Sequence, residues 1–121
     1  MANDFKRFTV ADVNTSAGAS ASAVYTVPSS SSTAVESIVI GITLANKSSS
    51  GVTASVFLDN YDGSNDVYIV NDASIPAGSS LEVMSGNKLV LQGDGTTNDT
   101  IRVSASSSSA VDATVSVLED V

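Results

Sequence analysis

Cysteine, histidine and tryptophan are absent from this 121-residue chain. No disulfide framework, thiol nucleophile, imidazole base or thiolate metal site can be drawn, so stability has to come from packing and backbone pairing. Basic residues are scarce: five Lys and Arg stand against 13 Asp and Glu, a formal net charge of -8. So few cations cannot neutralise many phosphates, which argues against a nucleic-acid partner. An acidic surface favours basic partner patches instead. Aromatics make up only 5% and charged residues 15% of the chain, so the core must be built from Val, Ile, Leu and Ala. No apolar run approaches the roughly 18 residues of a membrane span. Met1 to Val10, with Asp4, Lys6 and Arg7, lacks the apolar stretch of a signal peptide. The expectation is a soluble chain made in a cytoplasm, with no membrane partner.

What the chain has in abundance is alternation. Ile38, Ile40, Ile42 and Leu44 fall on one side of an extended segment, with Ser37, Val39, Gly41, Thr43 and Ala45 on the other, the period of a half-buried strand. After the polar turn Lys47 to Gly51, Val52, Ala54, Val56 and Leu58 alternate with Thr53, Ser55 and Phe57, and the two runs read as a hairpin. Val67 to Val70 forms a further strand, and Ile75-Pro76-Ala77-Gly78 breaks it, because Pro cannot donate to a ladder and Gly admits a positive φ. Leu81 and Val83 begin the next strand, Ser85 to Asn87 turns it, and Lys88 to Gln92 goes back. Beyond the loop Gly93 to Asp99, Ile101, Val103 and Ala105 face Val111, Ala113, Val115 and Val117 across a serine run, which reads as another hairpin. The front is less regular, with strands through Phe8 and Val10 and over Ala23 to Val27. Helix signals are nearly absent. The pattern predicts an all-β chain: a single antiparallel β-sandwich or jelly roll of about eight strands over residues 1–121, with 1–22 as an N-terminal arm and first strand.

Candidate sites are few. Asp59, Asp62 and Asp66 lie in an Asp/Asn-rich loop whose oxygens are the ligands calcium takes, but their spacing is not that of an EF-hand. A hairpin loop needs the same residues, and that reading is preferred, with calcium as the only cofactor considered. Gly93 to Asp99 has the same double reading. Asp62 with Asp66, or Asp94 with Asp99, are the clustered carboxylates available for acid and base work. No aromatic cleft is foreseen to raise one pKa, and the low aromatic count argues against a sugar-stacking site. The serines lack an imidazole; Ser–Lys chemistry through Lys47 or Lys88 is formally open, yet both lie in turn-like sequence. Phe5-Lys6-Arg7-Phe8 is either an arm docking on an acidic neighbour or an edge strand whose aromatics cover the sandwich. Tyr61, at a loop tip, is the tyrosine placed for contact. Asn14, Asn46 and Asn98 match the glycan-acceptor pattern, which carries little weight without a secretion signal.

Four segments have a familiar cast: Val70 to Glu82 with its Ile75-Pro76-Ala77-Gly78 turn, Lys88-Leu89-Val90-Leu91-Gln92, Asp99 to Val103, and the closing Val115-Ser116-Val117-Leu118-Glu119. They resemble small β-sandwich structural proteins of tailed bacteriophages, including those of marine cyanobacteria, over roughly the last two thirds of the chain. The resemblance implies a non-enzymatic component of the virion, with no catalytic residues to carry over. A capsid decoration (cement) protein that stabilises the head leads; a neck, tail or fibre subunit, or a module binding a host-surface glycan or receptor, is the alternative. The implied partners are the major capsid protein or tail and neck proteins, together with further copies of the chain as a symmetric oligomer, commonly a trimer.

Overall fold

A computed structural model describes residues 3–16, 20–28, 36–59, 66–84, 88–93 and 97–120. Among these residues the alternating segments become nine strands: β1 (Asn3–Val10), β2 (Ser22–Thr26), β3 (Glu36–Asn46), β4 (Val52–Asp59), β5 (Asp66–Ile75), β6 (Ser80–Glu82), β7 (Leu89–Gln92), β8 (Thr100–Ala105) and β9 (Val111–Asp120). They form two antiparallel sheets. Sheet A has the order β1-β9-β3, with β6 and β7 both on the far edge of β3, and sheet B has the order β2-β8-β4-β5.

The pairing follows one plan. β1 pairs β9, β2 pairs β8, β3 pairs β6 and β7, and β4 pairs β5, so the first half of the chain is matched in reverse to the second. Curling that ribbon brings β9 onto β3 and β8 onto β4. This is the jelly-roll arrangement of two stacked sheets. It has eight positions, because β6 and β7 share one: Ser80 to Glu82 runs along Ala45 to Thr43, and Leu89 to Gln92 continues along Val39 to Glu36. Lys88 to Gln92 therefore does not go back on the preceding strand but prolongs it.

Two of the expected hairpins are arches instead. β3 and β4 lie in different sheets, as do β8 and β9; alternation fixes which side chains face inward but not which strand is the partner. The β3–β4 corner is organised by the buried Asn46. Its Nδ2 donates to the carbonyls of Ser50 and Ile75, and its Oδ1 accepts from the Ser48 amide and hydroxyl. β4 and β5 are consecutive strands that do pair in one sheet.

The core lies between the sheets. Val39, Ile42, Leu44, Val115 and Val117 of sheet A meet Val56, Ile101 and Val103 of sheet B, all fully buried, each contributing about 1.5–3 kcal/mol. The face expected for β3 needs correcting. The register against β9 steps from Val39↔Val117 to Gly41↔Ser116, leaving Ile40 as an extra residue. Such a bulge swaps the faces on either side of it, so Val39 and Ile42 both point inward while Ile40 is 41% exposed. Among the described residues no helix is long and apolar enough to cross a membrane.

Candidate functional site

The Phe5 to Phe8 segment is part of a strand: every residue of β1 is in register with β9. Of the two readings, the first strand is the one seen, and alternation divides the four residues. Lys6 and Phe8 lie opposite Val117 and Val115, on the inner side, and Phe8 stacks on Tyr25 with ring centroids 4.7 Å apart. Phe5 and Arg7 point away from the core, and Phe5 is 76% exposed. An inward lysine on an edge strand discourages another chain from pairing there.

Lys6 leads to a buried polar network that the sequence reading missed. Its Nζ lies 2.9 Å from Glu119 Oε1, and Glu119 is only 1% exposed. The Tyr25 hydroxyl donates to Glu119 Oε2 at 2.5 Å. With that proton committed, the phenol oxygen accepts from the Ser37 hydroxyl at 2.8 Å. Burial first, and the bond to Glu119 second, push the Tyr25 pKa far above its ordinary value. The phenol is thus held as a neutral donor, not a base, and among the described residues the Ser37 hydroxyl has no activating partner. This arrangement fastens β2 to β1, β3 and β9. A signal was present: the inward series Val111, Ala113, Val115, Val117 reaches Glu119 on its next step.

The acidic loops are partly committed to structure. Asp59 Oδ2 accepts from Arg102 Nε at 3.0 Å, so its carboxylate is engaged by a guanidinium. Asp66 begins β5 directly opposite Asp59; its side chain, Tyr61, Asp62 and Asp94 lie outside the described residues. Asp99 is buried, with Oδ2 accepting the Gln92 amide at 2.9 Å. Among the described residues no group of three or more metal-ligating side chains occurs. Lys47 sits between Asp12 and Asp112, 2.5 and 2.9 Å away. Hydrogen bonds to Asp112 and then Asp12 raise its pKa, so it stays a cation and cannot serve as the base of a Ser–Lys pair.

Two outer faces carry the more telling chemistry. On sheet A the register places Phe5 beside Leu118, Leu118 beside Ile38, and Ile38 beside Val90. The result is an apolar row across four strands, with the bulged Ile40 next to Ile38 along β3. Phe5 at 76% and Val90 at 56% are its most exposed members. Glu36 and Gln92 border the row on one side, and Arg7 and Ser116 on the other.

On sheet B, Ser55 and Phe57 point outward yet are buried. The covering strand is β5, whose register against β4 shifts twice, between Ala54 and Val56 and between Val56 and Phe57. The extra residues carry Tyr68 over Phe57, centroids 4.6 Å apart and planes tilted by 49°, and leave Asp72 with φ 51°. Ser55 Oγ secures that conformation by accepting the Asp72 amide at 2.9 Å. Beside them lies a groove of about 210 Å³.

The fold and these faces define an all-β jelly-roll module with two distinct outer surfaces. No family model, no curated protein and no solved structure matches the chain.

Proposed function

We propose that the chain is a non-enzymatic structural component of a tailed-phage virion, a capsid decoration protein that seats the outer face of sheet A on the major capsid protein as a symmetric oligomer. The observation that carries this reading is the row Phe5, Leu118, Ile38 and Val90. Four apolar side chains in register on an outward face, extended by Ile40, form the kind of patch that marks a protein contact. Around them stand side chains such as Ser116, Thr114, Thr43 and Thr9, which lose little rotamer entropy on close packing. The phage-like phrasing of the closing strands supports the same assignment, and so does the commitment of Tyr25, Glu119, Lys47 and Asp59 to structural bonds.

Quantitative mass spectrometry of purified particles, followed by cryo-electron microscopy, tests the proposal. The expected result is a copy number that follows the symmetry of the head and density for sheet A against the shell. Density at the neck, tail or fibre moves the module to the alternative assignment. Absence from purified particles overturns the proposal.

A further inference from the structure

The groove on sheet B lies on the face away from the apolar row and serves no part of the assembly reading. Six side chains give it its character: Ser55, Phe57, Tyr68, Asn71, Asp72 and Ser104. Tyr68 is 50% exposed and rests on Phe57, which at 2% exposed acts as its floor. An aromatic ring held from behind and open in front is a stacking platform for a ligand with an apolar C–H face. The polar groups around it are hydroxyls, one amide and one carboxylate. Ser55 donates to Asp72 Oδ1 at 3.4 Å, and Oδ2 has no partner among the described residues. Among the described residues no Lys or Arg lines the groove, so none of them would neutralise an anion there.

The backbone is arranged for this placement. Two register shifts within one strand, together with a non-glycine residue in the left-handed region, are unusual in a ladder. Bulges of this kind re-aim side chains next to binding sites, and backbone strain tends to be kept where function uses it. Here they put Tyr68, Asn71 and Asp72 on the rim of one groove. At about 210 Å³ it lies below the roughly 300–1,000 Å³ of sites for drug-sized ligands, which suits a single ring.

We infer that this groove binds one neutral pyranose unit, its C–H face on Tyr68 and adjacent hydroxyls donated to Asp72 and bonded by Asn71 and Ser104. The low aromatic count had argued against sugar stacking, but a count says nothing about position. Two of the chain's aromatics meet at this groove.

The test is a set of separate titrations of the isotope-labelled full chain with glucose, galactose, mannose and N-acetylneuraminic acid, read by amide chemical shifts. A neutral hexose is expected to move the amides of Tyr68, Asn71, Asp72 and Ser104 while those of sheet A stay in place. The acidic sugar should bind more weakly than that hexose. Tyr68→Ala and Asp72→Asn should each weaken binding about tenfold. Asp72→Asn should keep the thermal midpoint, since its side chain is open to solvent and Asn tolerates the same φ. Tyr68→Ala uncovers Phe57 and should lower the midpoint while leaving the chain folded at the temperature of the titration. The inference is overturned if no neutral hexose moves these amides, if the acidic sugar binds as tightly, or if folded Tyr68→Ala binds undiminished. None of these outcomes depends on the chain being part of a virion.

Discussion

Tyr25 on sheet B donates its hydroxyl proton to Oε2 of Glu119 on sheet A at 2.5 Å, a direct polar tie between the two sheets. Replacing Tyr25 by Phe removes that donor from a carboxylate that is almost fully buried, and a cost of about 1–3 kcal/mol is expected. Urea unfolding at neutral pH measures it. A variant as stable as the parent would show that the tie contributes nothing.

The same bond sets an alkaline limit. The folded phenol has its pKa raised above the ordinary value of 10.0, so the native state requires the protonated form. The unfolded chain releases this proton above about pH 10, and stability present below that pH is lost as pH rises beyond it. Tyr25→Phe should therefore lose less stability between neutral and strongly alkaline pH than the parent does. Paired urea titrations below and above pH 10 check this, and equal losses in the two proteins would contradict it.

Gly93 has no room for a side chain. A Cβ there would run into the Asn98 side chain, across the bridge that pairs the two residues. Gly93→Ala is expected to cost about 1–3 kcal/mol by overpacking, and Asn98→Ala in the same chain should recover part of it. A double-mutant cycle measures the coupling; strictly additive losses would mean that the clash is not the cause.

Asn46 uses both ends of its amide, donating to the Ser50 and Ile75 carbonyls, each at 2.9 Å, while Oδ1 accepts from Ser48. Asn46→Asp keeps the acceptor and loses both donations, so a loss of about 1–3 kcal/mol is expected even though the two residues are nearly the same shape. Thermal or urea unfolding decides. A neutral Asn46→Asp would remove this side chain as the organiser of the β3–β4 corner.

The sequence was legible where the question was which side chains turn inward. Val111, Ala113, Val115 and Val117, and Ile101, Val103 and Ala105, are all buried, as period two requires. The partners were not legible. A polar five-residue turn such as 47–51 serves a hairpin or an arch equally well, and most pairings here join segments from opposite halves of the chain, as Phe5↔Leu118 does. Ile40 misled because a bulge leaves no mark in hydropathy. On the candidate surfaces, Phe5 stood out as an aromatic, but its alignment with Leu118, Ile38 and Val90 exists only once four strands are in register. The groove beside Tyr68 depends on two register shifts in β5, which alternation does not reveal.

The most direct measurement concerns the sheet A row. Phe5→Ser combined with Val90→Ser alters two exposed, outward-facing positions, so the isolated chain should keep its stability to within about 0.5 kcal/mol. In particles grown with this variant as the sole source of the chain, mass spectrometry should show incorporation reduced about tenfold or more. Full incorporation of the folded variant would contradict the assignment of this face as the docking surface.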